Sequence, residues 1–327
     1  MLRFIGRRIL QVIPTLIIIS IVSFVIIQLP PGDYLDTLAA TMAEQGDTID
    51  RELMAALEKR YGLGDPVYVQ YWKWITGIVT RGDFGMSFEW GRPVSQLIWD
   101  RFWFTLIISI STLLFIWAVA LPIGVYSAVR KYSIGDYIAT LFGFIGLAIP
   151  NFLMALVLMY WSFKYFGQSV GGLFSPEYVS AEWSWGKFVD LLGHLWIPVI
   201  IIGTAGTAEL IRVMRANLLD ELSKPYVETA RSKGLTERRL LIKYPVRVAL
   251  NPFVSTLGWI LPAIISADAV TSVVLSLPTT GPLLLRSLLA QDMYLAGSFI
   301  MLVSVLTVIG TLISDIMLAW LDPRIRY

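Results

Sequence analysis

The longest uncharged stretch of the chain reads Phe102-Trp-Phe-Thr-Leu-Ile-Ile-Ser-Ile-Ser-Thr-Leu-Leu-Phe-Ile-Trp-Ala-Val-Ala-Leu-Pro-Ile-Gly-Val-Tyr-Ser-Ala-Val129, a run of 28 residues. The hydrocarbon core of a bilayer is about 30 Å thick, and a helix of about 20 apolar residues crosses it. The run exceeds that length, and membrane helices tolerate the proline and the glycine that it contains. The stretch therefore predicts a transmembrane helix.

Five further uncharged runs lead to the same conclusion for the whole chain. They cover residues 9–29, 137–163, 191–208, 248–267 and 293–314. We expect the 191–208 run to continue into 209–217, and the 248–267 run to continue past Asp268. Overall, 56% of the residues are hydrophobic and 15% are charged, whereas soluble domains carry about 25% charged residues. The sequence predicts an all-α membrane protein with six transmembrane helices.

The distribution of Lys and Arg predicts the orientation of these helices. Six spans place both termini on one side, and that side carries 16 of the 26 Lys and Arg residues. Because short loops rich in Lys and Arg remain in the cytosol, we expect both termini to be cytosolic. The chain would then divide into the N-terminus and first helix (1–29), a small extracytoplasmic insertion (30–101) and a five-helix core (102–327).

Several classes of catalytic and ligand-binding site are excluded by composition. The chain has no cysteine, and its single histidine, His194, cannot form a metal site that needs two imidazoles. Neither a G-x-x-x-x-G-K-[ST] phosphate-binding loop nor a G-x-S-x-G nucleophile motif occurs. We therefore expect no enzyme, no metal site, no cofactor bound by this chain and no nucleic-acid partner.

A cation-rich segment between the fourth and fifth runs, residues 222–245, is called the elbow here. It reads Leu222-Ser-Lys-Pro-Tyr-Val-Glu-Thr-Ala-Arg-Ser-Lys-Gly-Leu-Thr-Glu-Arg-Arg-Leu-Leu-Ile-Lys-Tyr-Pro245. Ser223 is predicted to cap a helix whose first turn accepts Pro225. Gly234 is predicted to end that helix in the left-handed conformation, and Thr236 to cap a second helix. Local chemistry alone also fits a surface helical hairpin or a basic patch for anionic lipid.

The elbow contains a motif that resembles a known family signature. Glu228-Thr-Ala-Arg-Ser-Lys-Gly234 is similar to the E-A-A-x-x-x-G motif of ABC importer permeases fed by a binding protein, with Thr229 in place of the first alanine. The long 30–101 segment resembles that of the larger of the two permease types. Other segments resemble the dipeptide/oligopeptide/nickel group of these permeases: Met1-Leu-Arg-Phe-Ile-Gly-Arg-Arg-Ile-Leu-Gln-Val-Ile-Pro14, Pro31-Gly-Asp33, Tyr61-Gly-Leu-Gly-Asp-Pro66 with Gln70-Tyr71, Arg81-Gly-Asp-Phe-Gly-Met-Ser87 and Leu321-Asp-Pro-Arg-Ile-Arg-Tyr327.

The resemblance implies a function and a set of partners. The chain would be a permease subunit of an ATP-driven importer in the bilayer of a bacterial or archaeal cell membrane, which is the inner membrane in Gram-negative cells. Its partners would be a second, homologous permease subunit, two cytosolic ATPase subunits and an extracytoplasmic substrate-binding protein. ATP and Mg²⁺ would be bound by the ATPases, and each permease would contact an ATPase through its coupling segment, residues 218–246 in this chain. The coupling residues implied are Glu228, Ala230, Arg231, Lys233, Gly234, Arg238 and Arg239.

Polar and aromatic residues within the predicted spans are candidates for the translocation path. Ionisable groups in a membrane are costly and usually face the bundle interior, which makes Asp268 a candidate. Its alternative role is a structural contact to a neighbouring helix or to a cation of the partner subunit. Asn151 could touch substrate or satisfy the backbone after Pro150. Ser272 stands where many members of the family carry an acidic residue, and Trp259 could stack on a sugar ring.

The substrate and the transport class each have alternatives. The resemblance centres on peptides, and the same machinery could import oligosaccharides or nickel complexes. A stand-alone secondary transporter is the remaining competitor. Such carriers show paired broken helices in corresponding halves of the chain, and this sequence contains no internal repeat.

Overall fold

The computed structural model describes residues 2–28, 65–87, 89–167, 171–251, 253–255 and 269–321. Within these ranges the chain is helical, apart from one isolated β-bridge between Met86 and Pro93. The predicted all-α class is confirmed for this part of the chain. The helices in chain order are α1 (Leu2–Gln28), α2 (Val67–Arg81), α3 (Val94–Val129), α4 (Ile134–Ala148), α5 (Asn151–Phe166), α6 (Trp185–Leu222), α7 (Pro225–Ser232), α8 (Glu237–Lys243), α9 (Pro245–Ala249), α10 (Ala269–Val274), α11 (Thr280–Leu289) and α12 (Met293–Leu321).

Three of these helices are long and apolar enough to cross a membrane. They are α3 with 36 residues, α6 with 38 residues, and the Tyr294–Ala319 part of α12. The predicted extension of the 191–208 run is confirmed, because α6 continues unbroken to Leu222. The apolar part of α1, Leu10–Val25, is shorter than a span. Most of the 248–267 run lies outside the described residues, so the total of six spans stays a prediction.

The 137–163 run is not the single continuous helix that its composition predicts. Helix α4 ends at Ala148, α5 begins at Asn151, and the chain bends by 100° between them. A proline disfavours helical backbone at the residue before it, and Ile149 before Pro150 is extended, with φ −88° and ψ 120°. The prolines of α3 and α6, in contrast, lie inside continuous helices. Together, α4 and α5 provide at most a fourth, broken span.

The chain divides into two compact units. The smaller comprises Gly6–Trp103 and Thr279–Leu306, and the larger comprises Met1–Ile5, Phe104–Pro278 and Thr307–Tyr327. The elbow and helices α4 to α10 belong to the larger unit.

Helix α6 runs through two of the buried clusters of the larger unit. Its first half packs with α3, α5 and the segment before α11, and its second half packs with α3 and the segment that follows α9. The approach of α3 to α6 depends on Gly124, where an added Cβ would lie 2.6 Å from the Cβ of Met214. Small residues allow such close helix crossings in membranes. Large, fully buried side chains of these clusters include Ile116, Leu173, Ile197, Ile201, Met214, Leu218 and Phe253.

In the smaller unit, the loop between α2 and α3 is fastened to the start of α12. The Ser87 hydroxyl donates a hydrogen bond to Asp292 Oδ2 at 2.5 Å. Asp292 Oδ1 also accepts from the Leu295 N–H at 3.2 Å, as a residue that caps a helix does. An added Cβ at Gly85 would lie 2.7 Å from the ring of Tyr294, so the loop backbone touches α12. The 81–87 motif therefore holds the start of α12.

Candidate functional site

The elbow forms two short helices joined at a left-handed glycine. Helix α7 covers Pro225–Ser232, Lys233 ends it, and Gly234 follows with φ +77°. Helix α8 then covers Glu237–Lys243. A left-handed backbone disfavours residues that carry a Cβ, which explains the glycine at this position. The predicted end of the first helix at Gly234 is confirmed.

The start of each elbow helix departs in part from the prediction. Lys224, not Ser223, is the N-cap residue of α7, and Pro225 occupies the first turn as predicted. The prediction for Ser223 is wrong because this residue ends α6, where its hydroxyl donates to the carbonyl of Asp220 at 2.7 Å. Thr236 is the N-cap residue of α8 as predicted, but its side chain makes no capping hydrogen bond.

The elbow has a small hydrophobic core of its own. Val227 and Ala230 of α7 and Leu240 of α8 are buried against one another, and Leu235 and Tyr244 pack around them. Ala230, which the family resemblance implies in coupling, is 8% exposed. A residue larger than alanine there would displace this core. The geometry of the elbow is therefore set by its own packing.

A bidentate ion pair closes the elbow on its surface. Arg231 Nε donates to Glu237 Oε1 at 2.6 Å, and Arg231 Nη2 donates to Oε2 at 3.2 Å. The hydrogen bond from Arg231 lowers the pKa of Glu237, and the same contact raises the pKa of Arg231. Both groups are exposed, so the pair contributes little to stability. It nevertheless joins α7 to α8 across the glycine.

The remaining charged residues implied in coupling point to solvent. Glu228, Lys233, Arg238 and Arg239 are exposed, and none of them belongs to an ion pair within the described part of the chain. No atom lies within 4 Å of the position that a Cβ would take at Gly234. The elbow thus presents Lys233, Arg238, Arg239 and Glu228 around an open turn, with no ion pair to any of them among the described residues.

The elbow is also tied to the last turn of α6. The Tyr226 hydroxyl donates to Glu221 Oε2 at 2.5 Å, and Lys224 Nζ lies 3.0 Å from Asp220 Oδ2. Burial, followed by the contact with Glu221, raises the pKa of Tyr226, and the hydrogen bond with Asp220 raises the pKa of Lys224. Tyr226 therefore remains a donor, and Lys224 a cation, across the neutral pH range.

An ion pair that no sequence pattern predicted joins α4 to α6. Arg215 Nε and Nη2 each donate to one oxygen of Asp136, both at 2.8 Å. The Asp136 side chain is 3% exposed, and it also accepts from the Tyr132 N–H at 2.9 Å. The spacing of Ser133 and Asp136 is a recognisable helix-start signal. No pattern in the neighbouring sequence indicates that Asp136 pairs with Arg215, which lies 79 positions later.

A cavity of about 720 Å³ lies between the segment from Gly171 to Val179 and the first turns of α6, and we call it the loop cavity. Its wall includes Asp190, which accepts hydrogen bonds from the N–H and the hydroxyl of Ser175 at 2.8 and 2.6 Å. His194 Nδ1 lies 3.6 Å from Asp190 Oδ1. The wall is therefore polar and carries carboxylates.

Two of the four residues predicted to line the translocation path lie within the described part of the chain, and two lie outside it. Ser272 is buried on α10, and Asn151 is the partly exposed first residue of α5. Asp268 and Trp259 lie outside the described residues. The role of all four in transport stays a prediction. Within the described ranges, no cluster of three or more His, Asp or Glu side chains is suited to a metal ion.

Sequence comparison places the chain among known transport proteins. Residues 120–327 match the family described as the binding-protein-dependent transport system inner membrane component. Residues 1–110 match the N-terminal part of the membrane component of the same systems. The two matches together cover almost the whole chain, including the elbow.

Individual relatives are similar over the full length of the chain. The oligopeptide transport system permease protein AppB of Bacillus subtilis (strain 168) is 38% identical, with all of both chains covered. The dipeptide transport system permease protein DppB of Escherichia coli (strain K12) is 31% identical over all of this chain and 99% of that protein. The glutathione transport system permease protein GsiC of Salmonella paratyphi A (strain ATCC 9150 / SARB42) is 30% identical, with both chains fully covered. The chain belongs to the family of inner-membrane permease components of binding-protein-dependent transport systems.

Proposed function

We propose that the chain is one of two homologous permease subunits that together form an import path for peptides, driven by two cytosolic ATPases. The observation that carries the proposal is the elbow. Its hydrophobic core and left-handed glycine fix its shape, and its unpaired charges face outward. A surface of this kind suits a transient contact with a charged groove on another protein. An extracytoplasmic binding protein would deliver the substrate.

The connection between the elbow and α6 supports a coupling role. Tyr226 and Lys224 of the elbow are bonded to Glu221 and Asp220 at the end of α6, and α6 then continues for 38 residues. Movement of the elbow would therefore move α6. ATP hydrolysis by the partner ATPases would supply the energy, and the elbow would pass the movement to the transport path.

The coupling proposal is tested by reversing charge on the open face of the elbow. The double variant Arg238→Glu/Arg239→Glu should lose co-purification with the ATPase subunits and lose uptake, since both cations are exposed. Arg247→Glu is the matched control, because Arg247 is an exposed cation on α9, outside the elbow. Normal uptake and co-purification in the double variant would overturn the proposed contact.

For topology we propose six spans, cytosolic termini and an extracytoplasmic segment at residues 30–101. The chain has no cysteine, so single cysteines can report the side directly. Ser232→Cys in the elbow should react with a membrane-impermeant maleimide only after the cells are opened. Ser180→Cys, exposed in the loop before α6, should react in intact cells. Reversed reactivity at both sites would invert the proposed orientation.

Peptide is the proposed substrate class because the names of the relatives refer to oligopeptide, dipeptide and glutathione transport. We place Asp268, Ser272, Trp259 and Asn151 along the path. Cells that contain the complete transporter should take up labelled peptides, and unlabelled oligosaccharides should not compete. Competition by oligosaccharides but not by peptides would favour the oligosaccharide alternative, and competition by nickel complexes alone would favour the metal alternative.

A further inference from the structure

Helices α3, α4 and α6 of the larger unit enclose an apolar groove of about 440 Å³. Its walls include Phe115 and Val119 of α3, Ile138 and Phe142 of α4, and Ala208 and Ile211 of α6. Two of these side chains are turned outward, with Phe142 69% and Ile138 49% exposed. Both α3 and α6 are long and apolar enough to span a membrane. An exposed apolar surface on such helices faces hydrocarbon rather than water.

The wall formed by α4 carries only small residues along one line, and the ring of Tyr126 covers the first of them, Gly135, where an added Cβ would lie 2.5 Å from the tyrosine hydroxyl oxygen. Gly135, Ala139 and Gly143 line the groove, and their spacing of four residues places them on one face of the helix. At Gly143 an added Cβ would meet only the Cβ and Cα of Ala208, at 3.8 and 4.0 Å. The groove is therefore a narrow channel that accepts a thin, flexible apolar chain.

One end of the groove carries positive charge. Tyr126 lines this end, and the guanidinium of Arg130 lies 5.7 Å from the centre of its ring. Lys131 follows directly, with Nζ 4.6 Å from the ring of Tyr132. Both cations are exposed, and neither belongs to an ion pair in the part of the chain that the structure describes. The apolar channel thus ends near two exposed cations that form no ion pair among the described residues.

We propose that this groove binds a phospholipid with an anionic head group, its acyl chain lying along α4 and its phosphate at Arg130 and Lys131. Only a ligand with an apolar tail and an anionic head satisfies both parts of the site. A symmetric contact with a second copy of the chain would bring the same cations close together, where like charges repel. A peptide backbone would find few polar partners along the apolar walls. With the orientation proposed above, the lipid belongs to the cytosolic leaflet.

The test uses the full-length chain in detergent, with lipid binding measured by native mass spectrometry. Dioleoylphosphatidylglycerol should bind more tightly than dioleoylphosphatidylcholine and more tightly than oleate. Arg130→Gln and Lys131→Gln should each lower the affinity for the anionic lipid about fivefold, with no change for the zwitterionic lipid. Lys243→Gln is the matched control, because Lys243 also lies over a tyrosine ring, at 5.4 Å, but in the elbow.

Filling the groove should remove both lipids. Gly143→Leu and Ala139→Leu place a side chain in the channel, and two independent positions guard against a folding defect in either variant. Gly193→Leu is the control, because Gly193 lies on α6 with nothing within 4 Å of an added Cβ and lines the loop cavity instead. Loss of binding in both groove variants, but not in the control, supports the site.

Four results would overturn the proposal. Equal affinity for the two phospholipids would remove the role of the cations, and full binding by both filled variants would place the lipid elsewhere. Oleate binding as tightly as phosphatidylglycerol would assign the groove to a fatty acid. A dimer of the chain that Gly143→Leu abolishes would assign the groove to a second copy of the chain. Transport is not a readout in these measurements, so their failure leaves the proposed import function untouched.

Discussion

Substitutions at Gly234 separate the conformational need for glycine from any steric need. The residue has φ +77°, and nothing lies within 4 Å of an added Cβ. In the chain without its partners, a side chain at Gly234 therefore costs only the free energy of holding a non-glycine backbone at positive φ. It should be small for asparagine, about 1–2 kcal/mol for alanine and about 2–3 kcal/mol for valine, which is β-branched. The cost expected for valine is about as large as the free energy gained by burying one large apolar side chain. The elbow core has only three buried residues, so this cost is large for the elbow.

Three measurements on the complete transporter follow from this ranking: uptake, co-purification of the ATPases, and hydrogen exchange of the amides in α7 and α8. Gly234→Val should speed exchange in both elbow helices and reduce uptake and co-purification, while the membrane helices remain protected. Gly234→Ala should fall between valine and the parent protein, and Gly234→Asn should stay close to the parent. Normal uptake and co-purification in the valine variant would refute the coupling role of the elbow. Failure of the asparagine variant with normal exchange would instead show that a partner occupies the space beside the turn.

Three further predictions concern other contacts of the described residues. Asp136→Asn leaves Arg215 without its carboxylate and should cost about 3 kcal/mol, seen as a lower thermal midpoint. Asp220→Asn breaks the exposed pair with Lys224 and should lower the midpoint much less; equal shifts would contradict the importance of burial. Gly85→Ala should destabilise the protein more than Gly82→Ala, because both glycines have positive φ but only Gly85 meets a ring, that of Tyr294; the thermal midpoints of the two variants decide. The pKa of Glu237 is lowered in the folded chain, so its pair with Arg231 stabilises the elbow fully above the ordinary pKa of 4.5 and loses this effect only as the pH falls through the lowered value. Amide exchange in α7 and α8, corrected for its intrinsic pH dependence, should therefore be constant from about pH 6 to pH 8. A change in exchange within that range would contradict this assignment of the ion pair.

The membrane helices were predictable because a span is defined by length and apolarity, which are local properties of the sequence. The 102–129 run became α3, and the 191–208 run became the centre of α6. Gly234 was predictable for a similar reason, since a glycine after a helical pattern usually marks its left-handed end. The bend at Pro150 was not, because proline is compatible with a continuous membrane helix when neighbours satisfy the backbone.

The contacts that connect distant elements could not be predicted from local patterns. Asp136 and Arg215 are 79 positions apart, and Ser87 and Asp292 are 205 positions apart. Each residue has an ordinary local explanation as part of a loop, a helix end or, for Arg215, the interior of a long helix. Their pairing depends on how the helices pack, which the spacing of residues along one chain does not specify.

The length of α6 determines how a displacement of the elbow would be transmitted to the loop cavity. Thirty-eight residues at 1.5 Å per residue give a rod of about 57 Å, which tilts rather than stretches when its end is pushed. Pro198 lies inside this continuous rod and has no N–H to donate to the carbonyl of His194, so one helical hydrogen bond is missing at that point. The residues on both sides of Pro198 are packed in one buried cluster, which includes Leu195, Ile197 and Val199, so the two parts of α6 would move together. If the proposed coupling holds, a small rotation at the elbow end would change the angle of the cavity wall that Asp190 and His194 form.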